Sequence, residues 1–312
     1  MNENKHQIEL TWFEDCVVLA DTLNFSRAAA LRNITQPAFS RRIQALEDWV
    51  GTPLFIRTTR GVQVTEAGQA FKNHALHLLR SINTAKINAL EIAGFNSPTL
   101  IVSATHSISS SFFPGWIRKK EHSQDIEPLH LVSDTFSACE KMLIHGEAQF
   151  LLCYANPLMS EKFDPALFNH ITVGQDLLLP VCKPIGKTGK PAWELKNSGD
   201  ALPYLSYSSH SGLGMIMANS IQVSNITQHL KTKFTSDLAA TLLGMTLAGD
   251  GIAWIPYSLI ADYINNGLLV KAAPKEMELE LPLEIKLYRP VNIMSRAAES
   301  LWNFFQNESS II

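Results

Sequence analysis

The chain has 312 residues, of which 46% are hydrophobic and 18% charged, and its net charge is −3. That length is too great for one typical domain and suits two or three, and the composition describes a soluble globular protein, with no internal repeat or low-complexity stretch. No apolar run approaches the ~20 residues that span a bilayer. The opening MNENKHQIEL lacks the apolar core of a signal peptide. A cytoplasmic location with no membrane partner is therefore expected. The four cysteines, Cys16, Cys139, Cys153 and Cys182, are widely spaced with no CxxC or metal pattern. They read as small buried hydrophobes, with neither metal nor cofactor implied.

Charge is unevenly placed. From Asn24 to Arg80 there are eight Lys/Arg against three acids, a local excess of +5 in an otherwise acidic chain. Such asymmetry is what an electrostatic nucleic-acid footprint leaves. Residues 8–21 read as an amphipathic helix with Leu10, Phe13, Val17 and Ala20 on one face. Ser26 is the expected cap of a short helix ending at Leu31. After the turn Arg32-Asn33-Ile34, Thr35 caps a third helix with Pro37 in its first turn, where a missing N–H costs nothing. Phe39, Ile43, Leu46 and Val50 form its apolar stripe and Gly51 ends it. Three short helices with a tight second turn make a helix-turn-helix. A hairpin follows, Leu54–Arg57 and Val62–Val64 around a basic tip, so that 8–64 is expected to be a winged helix-turn-helix domain.

Residues 65–93 read as one long linker helix, about 40 Å at ~1.5 Å per residue. Phe71, Ala75, Leu78, Ile82, Ala85, Ala89 and Ile92 are spaced as a coiled-coil seam, for which a second copy of the chain is the simplest partner. Residues 94–99 read as a hinge. Beyond it, strand-like runs (Leu100–Ala104, Leu129–Ser133, Phe150–Tyr154) alternate with helical ones (Ser109–Lys119, Phe136–His145). A second α/β set runs from Leu177–Cys182 through Leu202–Tyr207, Gly212–Ser220, Lys233–Thr235 and Leu238–Leu247 to Ile252–Ile255. A last pair, Leu283–Tyr288 and Ser295–Phe305, returns to the first. The expected architecture is α+β and multi-domain, with a two-lobed α/β domain at 100–308 (lobe I about 100–174 and 278–308, lobe II about 175–277).

On the third helix, Pro37, Ser40, Arg41 and Gln44 lie opposite the apolar stripe, and Gln36 sits at the N-terminus, the end that usually enters the major groove. Gln suits adenine and Arg suits guanine in bidentate pairing; Ser40 suits phosphate. Arg42, at the flank, is expected on the DNA backbone, and the wing residues Arg57 and Arg60 on phosphates or a narrow minor groove. Each alone also reads as an ordinary solvent-facing polar residue.

The segment NFSRAAALRNITQPAFSRRIQALEDWVGTPLFIRTTRGVQVTEAG closely resembles the N-terminal signature of LysR-type transcriptional regulators. Ala28-Ala29, TQPAFSR, GTPLF, the Arg-rich wing and TEAG all have counterparts there, and the likeness covers about residues 8–93. GDGIAWIP at 249–256 resembles the family's GxGIAxLP segment. The resemblance implies a homodimer or homotetramer on double-stranded operator DNA, with RNA polymerase as a further partner if the protein activates. It implies a C-terminal domain resembling periplasmic binding proteins, and DNA contacts at Gln36, Pro37, Ser40, Arg41 and Arg57. It also implies a small-molecule effector in the cleft between lobes. One wall would be the turn Thr105, His106 and Ser107, a reasonable anion pocket. The other would be YLSYSSHS at 204–211, with Ser206 and Ser208 as contacts and Ser211 also suited to capping. The ATHSIS and GIAWIP segments are most similar to the hypochlorite-responsive branch. Oxidant sensing needs a thiolate or an exposed methionine. Met215, Met217 and Met245 read first as core packing, and Cys182 is the lone cysteine of lobe II.

The function expected is thus a sequence-specific transcriptional regulator switched by an effector or oxidant, not an enzyme. The alternative, a solute-binding module of a transport system, would share the C-terminal fold but not the helix-turn-helix. A catalytic Ser/His grouping at 106–109 and 206–211 has neither a GxSxG elbow nor a fixed acidic partner.

Overall fold

The structure is a computed structural model that describes residues 8–58, 61–93, 99–121, 128–157, 163–186, 189–195 and 201–309. It divides near residue 95 into two compact units.

The first unit opens with α1 (Leu10–Thr22), α2 (Phe25–Leu31) and α3 (Gln36–Val50). Asn24, rather than Ser26, caps α2: its side chain accepts the Arg27 N–H. Thr35 stands at the N-cap of α3 without a side-chain cap bond, Pro37 is in the first turn, and Gly51 closes the helix at φ +84°. The expected single face of α1 is corrected to two. Trp12, Cys16 and Leu19 join Ala28, Ala29, Phe39, Ile43, Leu46 and Leu54 in the domain core. Val17, with Phe13 beside it, turns instead toward α4 (Glu66–Ile92), packing on Ala75 and Leu76. Leu10, assigned to the apolar face, is exposed.

The wing is β1 (Phe55–Thr58) paired antiparallel with β2 (Gly61–Val64). It is pinned from both sides. The Glu47 carboxylate on α3 accepts the N–H groups of Leu54 and Phe55 at 2.8 and 2.9 Å. Thr65 accepts the Gly68 N–H and donates to the Pro53 carbonyl at the start of α4. Gly68 has no alternative: a Cβ there would lie 2.1 Å from the Leu54 carbonyl oxygen.

The second unit contains β3 (Leu100–Thr105), α5 (His106–Ser111), α6 (Phe113–Glu121), β4 (Leu129–Asp134), α7 (Phe136–His145), β5 (Phe150–Ala155) and β6 (Phe168–Cys182). Next come β7 (Pro203–Tyr207), α8 (Gly212–Asn219), α9 (Ile221–Thr227), β8 (Lys231–Ser236), α10 (Ala239–Ala248) and β9 (Ala253–Pro256). The chain ends in α11 (Tyr257–Asn265), β10 (Val270–Lys271), β11 (Leu281–Pro290) and α12 (Arg296–Ser309). β3 pairs in parallel with both β4 and β5. α12 covers this lobe, stacking Phe305 on Trp116 with centroids 3.8 Å apart.

Two long antiparallel strands, β6 and β11, carry the chain from one lobe to the other. They are in register from Leu178–Leu281 to Phe168–Pro290, with a bulge at Ile285/Lys286. β9 and β10 extend the far half of β6, and β7 pairs in parallel with β8 in the second lobe. Sequence periodicity marked only Leu177–Cys182 of β6; its first half mixes buried, half-buried and exposed residues and carries no apolar run. α9 and α11 were likewise unmarked, and the single helix expected at Ser109–Lys119 is two, broken at Phe112.

Candidate nucleic-acid interface and sensing cleft

α3 buries Phe39, Ile43 and Leu46 at 0–2% exposure, which fixes its rotation. Pro37, Arg41 and Gln44 are consequently exposed, as is Thr35, while Gln36 and Ser40 are half-buried. Arg41 donates from Nε to the Pro37 carbonyl at 3.4 Å and Gln44 donates to Asp48 at 2.9 Å, so both lie along the helix surface. Arg57 of the wing is brought to this helix: its guanidinium sits 4.5 Å from the centroid of the Phe25 ring and donates to Ser40 Oγ at 3.2 Å. A cation over an aromatic face is held by the ring quadrupole, so wing and recognition helix form one polar surface. Arg60 lies outside the described residues.

Arg42 has a partner inside the domain. Its guanidinium lies 3.4 Å from Asp15, which is fully buried and also takes Arg32 at 2.7 Å. Arg32 pairs with Glu14 as well. A buried carboxylate requires such partners, so Arg42 ties α3 to α1 through one amino group while its side chain stays 36% exposed. Asp15 is separated from Arg42 by 27 residues, and no local pattern announces the pair.

The seam on α4 is also redistributed. Ala75 is buried and Phe71 stacks on Phe13 of the same chain, centroids 5.6 Å apart. The first half of this helix therefore packs within its own chain. Leu78, Ile82 and Ile92 are exposed at 46%, 48% and 88%, and Ala85 and Ala89 are exposed too.

In the second unit, a small solvent-open cleft lies between the lobes. The first lobe supplies Thr105, His106, Ser107, Asp134, Thr135, Phe136 and Tyr154, and the second supplies Ser211, Gly212, Leu213 and Asp237. Strand ends and helix starts converge here. Thr135 accepts the Ala138 N–H, and Ser211 accepts the Gly214 N–H at 2.9 Å. A Cβ on Gly214 would sit 2.1 Å from the Ser208 carbonyl oxygen, so glycine keeps this turn tight. The His106 ring bonds Ser133 at 3.0 Å, and Ser133 meets Ser109 at 2.7 Å. The Thr105 hydroxyl oxygen is buried without a hydrogen-bond partner.

Ser206 and Ser208 are not on the cleft wall. Ser206 donates to the Tyr207 carbonyl and Ser208 to Asp237. Their places are taken by Ser211, Gly212, Leu213 and Asp237, which sequence reasoning had not proposed as contacts. For Ser211, Gly212 and Leu213 the signal was the helix start at the end of YLSYSSHS; Asp237, in the turn before α10, had no such signal. All four cysteines are buried, and none of them forms a disulfide. Burial pushes the Cys16 thiol up to about 12 and the Cys139 thiol up to about 11, so neither is a thiolate near neutral pH. Met217 is buried and Met245 packs against the same core. Among the described residues no group of three or more His, Cys, Asp or Glu is placed to hold a metal ion.

A helix-turn-helix with an anchored wing, followed by a two-lobed domain around a polar cleft, defines a DNA-binding regulator with a built-in sensing domain. The comparisons agree. The model for bacterial regulatory helix-turn-helix proteins of the LysR family matches residues 10–69, and that for the LysR substrate binding domain matches residues 93–310. The chain belongs to the LysR family of transcriptional regulators. It is 31% identical over 306 residues to the HTH-type transcriptional regulator YjiE of Escherichia coli, covering 95% of this chain and 94% of that one. Among solved structures it is similar to full-length HypT of Salmonella typhimurium, a hypochlorite-specific LysR-type regulator, at 29% identity and TM-score 0.58, covering 98% and 100% of the two chains. It is also similar to Vibrio fischeri DarR in complex with DNA, at 29% identity and TM-score 0.55, covering 96% and 99%. The transport-module alternative falls with these matches.

Proposed function

We propose that this regulator reads its operator with Thr35, Gln36, Pro37, Ser40, Arg41 and Gln44 of the α3 segment, together with Arg57 and Arg60 of the wing. We propose further that it works as a non-enzymatic cytoplasmic protein whose effector binds the cleft between lobes. The observation that carries the first part is the rotation of α3. Its apolar residues are spent on the core, which leaves Arg41 and Gln44 outward beside the docked Arg57. For the second part, the cleft gathers hydroxyls and helix starts from both lobes, so an occupant bridging them favours one lobe arrangement over another. No helix among the described residues is long and apolar enough to cross a membrane. The exposed residues Leu78, Ile82, Ala85, Ala89 and Ile92 are the proposed contact with a second copy.

Arg41→Ala tests the reading surface. Loss of a base contact is worth ~1–3 kcal/mol, or about 5- to 150-fold in operator affinity. Unchanged affinity in a gel-shift titration, with the variant folded, removes Arg41 from the surface.

A further inference from the structure

The sequence suggests an anion pocket at Thr105–Ser107, but the charges around the assembled cleft have the opposite sign. The lining contains Asp134 from the first lobe and Asp237 from the second, and neither a lysine nor an arginine. Among the described residues neither carboxylate has a salt-bridge partner. Asp134 Oδ1 accepts the Thr135 N–H at 2.6 Å and Asp237 Oδ1 accepts the Ser208 hydroxyl, which leaves the second oxygen of each without a partner there. Asp176, just behind the cleft, is different. It accepts the Tyr154 hydroxyl at 2.7 Å and the N–H groups of Leu177 and Ser258 at 2.8 and 3.1 Å, so its bonding is complete within the protein.

The Thr105 hydroxyl gives a second, independent indication. Its oxygen is buried, has no partner, and belongs to a residue of the same cleft wall. A buried hydroxyl left unpaired costs about 1–3 kcal/mol, a cost that a hydrogen-bonding occupant removes. Phe136, another residue of the lining, adds an aromatic ring, whose face attracts cations and not anions.

We infer that the effector of this regulator carries a cationic nitrogen, an ammonium or guanidinium, placed between Asp134 and Asp237, with a polar end reaching Thr105. The class is small amines and amino acids with a basic or free amino group, rather than dicarboxylates or inorganic anions. This rests on the cleft being the sensing site. It also gives the signal a physical basis, because one cation between carboxylates on opposite lobes draws those lobes together. Two lobes each presenting a carboxylate repel when the cleft is empty and are bridged when it is filled.

The test uses the full chain in a thermal-shift and calorimetric titration at fixed ionic strength. The probes are L-lysine, L-arginine and putrescine against succinate and glutarate, each at millimolar concentration. At least one cationic probe is expected to raise the melting temperature while the dicarboxylates do not. Asp134→Asn and Asp237→Asn, which keep size and hydrogen-bonding capacity, are each expected to weaken that probe tenfold or more without lowering the melting temperature of the empty protein. Three results overturn the inference. If no cationic probe binds, the class is wrong. If a dicarboxylate binds and Thr105→Val abolishes it, the cleft remains the sensing site but its ligand is an anion. If a cationic probe binds equally well to Asp134→Asn, Asp237→Asn and Thr105→Val, the ligand sits elsewhere and the cleft reading itself fails.

Discussion

Gly68→Ala is the smallest change that tests how wing and linker helix are joined. The added methyl would lie 2.1 Å from the Leu54 carbonyl oxygen, 2.9 Å from a Val64 methyl and 3.0 Å from the Leu54 carbonyl carbon. Ordinary contact is near 3.5 Å, so helix and wing must part by more than 1 Å. Neither side gives easily. The Leu54 oxygen is backbone, and the same strand end is held by Glu47 and by Thr65. Overpacking of this kind costs ~1–3 kcal/mol, and alanine returns about 1 kcal/mol of helix propensity at most. A net loss of about 1 kcal/mol in a domain of this size lowers its melting temperature by roughly 4–8 °C. Gly244→Ala is the control. That position is also helical, a Cβ there meets nothing within 4 Å, and stability should rise by up to ~1 kcal/mol. Calorimetry on the two variants reads both signs. A Gly68→Ala protein that melts within a degree or two of wild type, with operator affinity intact, would refute the close approach.

The other predictions follow from separate parts of the molecule. Glu at both Leu78 and Ile82 should bury like charges where a second copy docks and yield monomers by light scattering; an unchanged mass would take that stretch of α4 out of the oligomer contact. Thr105→Val removes an unpartnered hydroxyl, so it should not destabilise the empty protein but should blunt the transcriptional response in a reporter assay; a normal response would place the effector away from Thr105. The Arg289 guanidinium, at 2.7 Å from each oxygen, holds the Glu299 carboxyl below its ordinary value of 4.5, aided by the Met294 N–H. This stability is present above pH 4.5 and lost as pH falls through the lower, folded value. Glu299→Gln should therefore lose stability at neutral pH and show a shallower acid limb in urea titrations, and an identical pH profile would count against the pairing.

Local periodicity made much of this molecule readable. Phe39, Ile43 and Leu46 repeat at helical spacing, and the rotation of α3 follows from them alone. Other features depend on tertiary partners. Arg42 looks like any flank arginine until Asp15, folded in from α1, claims it. α1 serves two cores, and its Trp12–Cys16–Leu19 face is as apolar as the Phe13–Val17 face that the pattern selected. In the cleft, Ser206 and Ser208 had the right chemistry in the right strand-turn segment, but their hydroxyls are turned to Tyr207 and Asp237. The carboxylates that dominate the site come from Asp134 and Asp237, more than a hundred residues apart, and become neighbours only when the lobes are assembled.

The pairing of β6 with β11 has a consequence for how such a sensor can change its ligand. Gly174 and Ile285 are register partners, so the chain that builds the second lobe leaves and re-enters the first at adjacent backbone positions, roughly 5 Å apart. The second lobe is thus a cassette with a single double-stranded junction. Its wall of the cleft, Ser211 to Leu213 with Asp237, can be replaced as one unit while the first lobe keeps the pairing of β3 with β4 and β5 and its Thr105–Asp134 wall. Exchange of that cassette between relatives, cut at these two residues, would combine two half-sites into new ligand preferences without touching the segment that reads DNA.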